Sequence, residues 1–211
     1  MRIEQLRLYL VTDRSFLAGR DMVSVVREAV AGGVTMLQLR EKHLDTRAFV
    51  QEAIALKKAL AGTGVPLVIN DRLDVALASG ADGVHIGQSD MPYLIARKLL
   101  GPDAIIGLSV ENMDQVRQAE TLDVDYIGVS PVFSTLTKED TAAPFGLEGL
   151  QQAAEISSHP IVAIGGMKLT NVSDVIKHGA DGIALVSAIM GSNDPRKASQ
   201  QLIKVINETL R

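Results

Sequence analysis

Gly80-Ala81-Asp82-Gly83 recurs as Gly179-Ala180-Asp181-Gly182, and the expected architecture of the chain follows from that recurrence. In each copy a segment with helical periodicity comes before the first glycine, and a short apolar run follows the last one. A related joint, Gly32-Gly33-Val34, stands between another helical segment and the next apolar run. A glycine just past a helix can adopt the left-handed conformation that satisfies the last helical carbonyl groups. The repeated joints therefore predict a repeating strand–helix unit.

The whole chain of 211 residues can be divided into such units. The predicted strands are Leu8–Val11, Met36–Leu39, Leu67–Ile69, Gly83–Ile86, Ile105–Ser109, Tyr126–Val129, Ile161–Ile164 and Gly182–Val186. The predicted helices are Met22–Ala31, Thr46–Ala61, Asp74–Ala78, Met91–Leu100, Asn112–Glu120, Leu147–Ile156, Asn171–His178 and Pro195–Leu210. Because most of the strands are apolar with little alternation, we expect a parallel sheet that is buried on both faces. The pattern predicts an α/β fold, a (β/α)8 TIM barrel formed as a single domain by residues 1–211.

A doubly wound open sheet is the alternative architecture. Such a fold usually carries a glycine-rich fingerprint directly after its first strand. Here the first strand continues into Val11-Thr12-Asp13-Arg14, and no glycine comes before Gly19. The closed barrel is therefore the favoured prediction.

Composition excludes several classes of function. The net charge of -4 argues against a nucleic-acid-binding protein, which usually carries a basic surface. The absence of cysteine excludes disulfides and thiolate chemistry. The apolar run in Met1–Leu10 is too short for a signal peptide, and no later run reaches membrane length. We expect a cytosolic enzyme with no nucleic-acid or membrane partner, and the sequence leaves homo-oligomerisation open.

Polar residues follow the predicted strands, at the rim where TIM barrels carry their reactive groups. Arg40, Lys42 and Lys138 are long cations whose combined charge suits a diphosphate. Asp71 and Asp90 follow neighbouring strands, and Mg²⁺ prefers one or two carboxylates together with water and substrate phosphates. Each of the two aspartates also precedes a helix, so that helix capping is the competing explanation for them.

A second anion site is predicted at the ends of the last two strands. Gly165-Gly166 and Val186-Ser187 occupy the place where many barrels bind a phosphate monoester through backbone N–H groups. The irregular stretch Ser130–Gly146 is long enough to close over bound substrates. His85 lies within a strand, and a structural role is favoured for it over a catalytic one.

Most of these residues lie in segments that resemble the thiamine phosphate synthase family, in the same order over nearly the whole chain. The matching segments are Tyr9–Asp13, Leu37–Lys42, Ile69–Arg72, Asp82–Asp90, Gly107–Val110, Asp125–Val129, Thr135–Asp140, Ala163–Gly166 and Gly179–Gly182. Ser130 departs from the pattern, in which a glycine is expected before Pro131-Val132-Phe133.

The resemblance implies the condensation of 4-amino-2-methyl-5-hydroxymethylpyrimidine diphosphate with 4-methyl-5-(2-hydroxyethyl)thiazole phosphate, which gives thiamine phosphate and pyrophosphate. It also implies Mg²⁺ as the cofactor, with Asp71 and Asp90 as ligands. The residues expected to act in catalysis are Arg40, Lys42, Ser109 and Lys138. The residues expected to bind substrate are Gln38, Leu39, Arg40, Glu41, Lys42, Asn70, Ser109, Thr135, Leu136, Thr137, Lys138, Gly166, Val186 and Ser187.

Three other functions compete with this one. A related aminothiazole tautomerase would need a histidine near the end of the sixth strand, where this chain has Pro131. A sugar-phosphate isomerase or epimerase would bind a phosphate but would not need the two aspartates and three cations. A silent barrel that senses thiamine precursors would bind them without turnover, and a turnover assay separates it from the enzyme.

Overall fold

The computed structural model describes residues 1–134 and 143–210, and these form a closed barrel of eight parallel strands paired in sequence order. The last strand pairs with the first, which closes the sheet and excludes the open, doubly wound alternative. The strands are β1 (Leu8–Val11), β2 (Met36–Leu39), β3 (Leu67–Asn70), β4 (Gly83–Ile86), β5 (Ile105–Val110), β6 (Tyr126–Val129), β7 (Ile161–Ile164) and β8 (Gly182–Leu185). The predicted TIM barrel is confirmed.

Helices alternate with the strands and cover the outside of the barrel. They are α1 (Met22–Ala31), α2 (Thr46–Ala59), α3 (Leu73–Ser79), α4 (Tyr93–Leu100), α5 (Met113–Ala119), α6 (Gly146–Ile156), α7 (Val172–Lys177), α8 (Ser187–Met190) and α9 (Pro195–Thr209). The four-residue helix α8, which follows β8 directly, was not predicted because a single turn has too few residues to show periodicity. No helix within the described ranges is long and apolar enough to cross a membrane.

Two separate apolar layers explain why apolar and polar residues do not alternate along the strands. One layer fills the barrel itself and includes Tyr9, Met36, Val68 and Tyr126. The other lies between the barrel and the helices and includes residues such as Leu39 from the opposite faces of the strands. Because both faces of each strand are covered, apolar side chains are favoured at nearly every strand position.

The repeated joint forms the end of the barrel opposite to the predicted active-site rim. Gly80 ends α3 in the left-handed conformation, with φ 65°. Asp82 Oδ2 then accepts a hydrogen bond of 2.7 Å from the backbone N–H of Leu67, and Asp181 Oδ2 accepts one of 2.8 Å from Ile161. Each aspartate therefore satisfies the first N–H group of the preceding strand and fastens neighbouring units together.

The last glycine of the joint allows close contact between two backbones. A Cβ atom on Gly182 would overlap the carbonyl oxygen of Leu6, which cannot move without disturbing the barrel. We therefore expect Gly182→Ala to lower the free energy of unfolding by about 3 kcal/mol, the upper end of typical overpacking costs. Gly62→Ala is the control, since no atom lies within 4 Å of its Cβ position and only the strain of its φ of 78° remains, about 1 kcal/mol. Urea denaturation measures both variants, and equal losses would contradict the predicted overlap.

Candidate functional site

A cavity of about 610 Å³ opens at the carboxyl ends of the strands. The predicted site residues that line it are Gln38, Arg40, Asn70, Ser109, Gly166, Val186 and Ser187. They come from β2, β3, β5, β7 and β8 or from the loops directly after these strands. The fold thus brings residues that are far apart in sequence to one rim.

One side of this cavity is polar and is formed by the first five strands. Gln38 is buried, and its Nε2 donates a hydrogen bond of 2.7 Å to the hydroxyl of Tyr9. Arg40 is positioned through its backbone N–H, which donates to Thr12 Oγ1 at 3.0 Å, and its guanidinium lies 3.5 Å from Asp13 Oδ2. The guanidinium keeps further donors for an anion in the cavity, because it carries five N–H groups.

Two carboxylates converge beside the cavity, at the ends of β3 and β4. Asp71 adopts a left-handed backbone conformation, with φ 61°, and its Oδ2 lies 2.6 Å from Lys42 Nζ. Asp90 Oδ2 accepts a hydrogen bond of 2.7 Å from the backbone N–H of Gly87. Burial and then the neighbouring Asp71 carboxylate raise the pKa of Asp90. Two close carboxylates repel each other, and a divalent cation between them would relieve that repulsion.

The donor set suits a metal that is shared with a substrate. Within the described ranges, no group of three or more His, Cys, Asp or Glu side chains could hold a metal ion. Two carboxylates are nevertheless enough for Mg²⁺, which usually keeps several waters and completes its shell with substrate phosphates. The pair Asp71 and Asp90 therefore fits Mg²⁺ better than a metal that needs a closed protein cage, such as structural zinc.

The opposite side of the cavity is built from backbone. Gly165 and Gly166 both have positive φ, 99° and 67°, and a Cβ atom on Gly166 would lie 2.7 Å from Phe133 Cβ and 2.9 Å from Ser134 O. In the part of the chain that the structure describes, the backbone N–H groups of Gly166 and Ser187 donate to no protein atom. Two unpaired donors at one cavity wall are suited to an anionic oxygen.

Some predicted residues lie elsewhere. The Leu39 side chain is buried between the barrel and the helices and does not line the cavity. Glu41 pairs with Arg14 at 3.2 Å, and burial raises the pKa of its carboxyl group. The predicted ligands Thr135, Leu136, Thr137 and Lys138 lie outside the described residues. Roles for these six residues stay predictions.

Sequence reasoning missed several residues that line the cavity. Phe16 lies on the loop after β1, and Met167 and Lys168 follow the two glycines after β7. Lys168 adds an exposed cation beside the cavity wall that is built from backbone. Its position directly after Gly165-Gly166 at a strand's carboxyl end was the available signal, because reactive groups of barrels concentrate there.

A second cavity, of about 600 Å³, lies at the other end of the barrel. It is lined by the end of α2 and the turn that leads to β3, and it contains none of the predicted site residues. Of its three charged lining residues, Lys57, Lys58 and Asp82, the first and last pair with each other at 2.6 Å. The rim cavity, with its unpaired donors and converging carboxylates, is therefore the candidate site.

Comparisons with known proteins show which family this chain resembles. Residues 8–189 match the family model described as thiamine monophosphate synthase. The chain is 54% identical over 207 residues to the thiamine-phosphate synthase of Albidiferax ferrireducens, covering 98% of this chain and 94% of that one. It is 47% identical to the thiamine-phosphate synthase of Chloroflexus aurantiacus, covering 96% and 94%.

Solved structures support the same relationship. The thiamine phosphate pyrophosphorylase of Pyrococcus furiosus superimposes with a TM-score of 0.91 at 40% identity, covering 99% of each chain. An orotidine 5'-phosphate decarboxylase from Pyrococcus horikoshii superimposes with a TM-score of 0.68 at 18% identity over 94% of this chain and 99% of that one, which shows a common fold alone. The chain belongs to the thiamine monophosphate synthase family.

Proposed function

We propose that the rim cavity joins a pyrimidine diphosphate to a thiazole phosphate, and that this is how the chain performs its transferase reaction, thiamine-phosphate synthesis. The observation that carries the proposal is the arrangement around one cavity of a polar wall, a carboxylate pair and a wall of unpaired backbone donors. The chain would act in the cytosol as a single barrel domain of residues 1–211.

The pyrimidine diphosphate is assigned to the polar wall. Gln38, Asn70 and Ser109 offer neutral hydrogen-bonding groups to the ring, and Arg40 and Lys42 offer charge to the diphosphate. Lys42 Nζ lies 2.6 Å from Asp71 Oδ2, so its positive charge is next to the carboxylate pair. It would therefore be close to a diphosphate bound to a metal at that pair. Mg²⁺ held by Asp71 and Asp90 would stabilise the negative charge that develops on the departing pyrophosphate.

The thiazole phosphate is assigned to the wall formed by the backbone after β7 and β8. The N–H groups of Gly166 and Ser187 would bind its phosphate oxygens, and Lys168 would add charge. Asn171 holds this loop in shape, because its Nδ2 donates to Gly166 O at 3.0 Å and its Oδ1 accepts from Lys168 N at 2.8 Å. The monophosphate and the diphosphate would thus bind at opposite walls of the cavity.

This arrangement requires no protein nucleophile. The bond from the pyrimidine methylene to the diphosphate breaks, and the aminopyrimidine ring stabilises the carbocation that forms. Pyrophosphate keeps the electrons of the broken bond. The thiazole nitrogen then donates its electron pair to the carbocation, which forms the new carbon–nitrogen bond. The protein contributes charge stabilisation through Arg40 and Lys42 and holds the two reacting atoms close together.

Turnover separates this function from a silent precursor sensor. The protein is incubated with each substrate alone and then with both, and pyrophosphate is measured by an assay coupled to inorganic pyrophosphatase. We expect many equivalents of pyrophosphate per protein chain when both substrates are present. Tight binding of both substrates with no pyrophosphate beyond one equivalent would favour the sensor.

Lys138 carries a prediction that rests on the sequence alone. It matches the family segment Thr135–Asp140, and a cation that acts on the leaving diphosphate should matter more in the transition state than in the ground state. We expect Lys138→Ala to lower kcat at least ~10-fold and to change binding of the pyrimidine diphosphate only modestly. Lys138→Arg should rescue part of the loss. Single-turnover kinetics test this, and a normal chemical step with weakened binding would refute the role in leaving-group departure.

A further inference from the structure

A chain of hydrogen bonds crosses the interior of the barrel and connects two residues of the cavity's polar wall, Gln38 and Ser109. Gln38 Nε2 donates to the Tyr9 hydroxyl at 2.7 Å, and the Tyr9 and Tyr126 hydroxyls are 2.8 Å apart. The Tyr126 hydroxyl lies 3.0 Å from His85 Nδ1, and His85 Nε2 lies 2.8 Å from Ser109 Oγ. Gln38 and Ser109 line the cavity at the two ends of this chain of contacts.

The middle of this chain of contacts is closed to solvent. Tyr9 and Tyr126 are 0% exposed and His85 is 4% exposed. Burial raises the pKa of both tyrosine hydroxyls, so each keeps its proton throughout the physiological pH range. Each tyrosine hydroxyl therefore has a single proton to donate, and each hydrogen bond between neighbouring groups uses one proton.

Counting these protons gives the contacts a direction. Tyr9 accepts from Gln38, so its own proton goes to the Tyr126 oxygen, and the proton of Tyr126 goes to His85 Nδ1. A neutral imidazole that accepts at Nδ1 carries its proton at Nε2, and it donates that proton to Ser109 Oγ. Gln38 Oε1 accepts from no described residue, and the Ser109 proton is not used by any of these links.

The surrounding strands are shaped to hold this set of residues. A Cβ atom on Gly107 would overlap the Tyr126 ring and would lie 2.6 Å from His85 Nδ1. One on Gly128 would lie 3.1 Å from His85 Cε1. The rings of His85 and Tyr126 stack with centroids 5.5 Å apart. Glycine at these inward positions of β5 and β6 leaves the space that the two rings occupy.

We propose that Tyr9, Tyr126 and His85 are positioning residues, which we call the interior relay, and that they fix a hydrogen-bond acceptor at Gln38 and a donor at Ser109. The proposal rests on the proposed function, because it concerns the wall assigned to the pyrimidine. An acceptor at Gln38 favours a ring that carries an exocyclic amino group over one with a carbonyl group at the same place. The interior relay would thus determine which class of pyrimidine the cavity selects.

The tautomer of His85 tests the direction of the relay in the protein alone. The chain has four histidines, so spectra of protein labelled with ¹⁵N-histidine are simple, and His85→Asn identifies the signals of His85. We expect His85 to be neutral, with its proton on Nε2, and Tyr126→Phe to change this tautomer signature. A proton on Nδ1, alone or together with one on Nε2, would overturn the proposal, because Tyr126 could not then donate to it.

Binding of two nonreactive ligands tests the selection. The probes are 4-amino-5-hydroxymethyl-2-methylpyrimidine monophosphate and its 4-oxo counterpart, measured by titration calorimetry. We expect the wild type to prefer the amino compound at least ~10-fold, the scale of one hydrogen bond with a mismatched partner. Tyr9→Phe frees the Gln38 amide to rotate, and the preference should fall to about twofold or less.

The matched control is Tyr93→Phe, which removes a hydroxyl that donates to the Asp123 carbonyl outside the barrel. It should leave the preference unchanged. If Tyr9→Phe folds poorly, Tyr126→Phe serves in its place, because it removes the next link. A preference kept by folded Tyr9→Phe and Tyr126→Phe variants would refute the interior relay while leaving the proposed function intact. A wild type that binds neither probe would instead overturn the pyrimidine site itself.

Discussion

Asp71→Asn and Asp90→Asn are each expected to lower turnover at least ~100-fold and to weaken the dependence on Mg²⁺. Both changes keep the size of the side chain and remove one negative charge from the converging pair. The loss of charge should reduce the attraction of a divalent cation and leave the departing pyrophosphate less stabilised. Initial rates over a range of Mg²⁺ concentrations measure both effects.

Folding must be separated from chemistry in these variants. Burial and the neighbouring Asp71 carboxylate raise the pKa of Asp90. Removing one of the two charges therefore relieves the repulsion between these carboxylates. We therefore expect both Asn variants to keep wild-type thermal stability. Asp114→Asn is the control, because Asp114 is exposed and, among residues 1–134 and 143–210, its carboxylate forms an ion pair only with Arg117. Rates near wild type, with the same dependence on Mg²⁺, would show that the two aspartates do not bind the metal.

Gly166→Val is expected to raise the KM for the thiazole phosphate about 100-fold, because the substitution should remove a backbone donor to the phosphate of that substrate. The KM for the pyrimidine diphosphate should rise much less. Its backbone has φ 67°, which valine adopts only with strain, and the new side chain would press against Phe133 and Ser134. The N–H group would then move away from the cavity wall. Steady-state kinetics with each substrate varied in turn measure the two constants.

The control for this variant is Gly101→Val, which has φ 85° and no atom within 4 Å of its Cβ position. A valine there is also strained by a positive φ, at a position outside the cavity, so both KM values should stay near wild type. Equal increases for the two substrates in Gly166→Val would mean that the phosphates do not bind at separate walls.

The strands were predictable because a barrel strand is buried on both sides. Five of them, including Leu8–Val11, have both predicted bounds, and the other three differ by one residue at their carboxyl end. Each apolar run ends where the polar rim residues begin. Helix ends were less well predicted. The predicted helix Thr46–Ala61 ends at Ala59, because apolar periodicity continues past the last helical residue.

The rim could be located from the sequence, but its detailed contacts could not. Topology alone places Asn70, Ser109 and Gly166 at one end of the barrel, so their convergence followed from counting strands. Asp71 has a left-handed backbone, which the sequence does not reveal because most aspartates adopt negative φ. The interior relay was also hidden, because inward and outward positions look alike in strands that are apolar on both faces.

Formation of thiamine phosphate from the two substrates tests the central claim most directly. The protein is treated with EDTA, dialysed, and mixed with both substrates with and without added Mg²⁺, and the products are identified by mass spectrometry. We expect thiamine phosphate and pyrophosphate in equal amounts with Mg²⁺, and at least ~100-fold less without it. No thiamine phosphate under either condition, from protein that is folded and binds both substrates, would contradict the account.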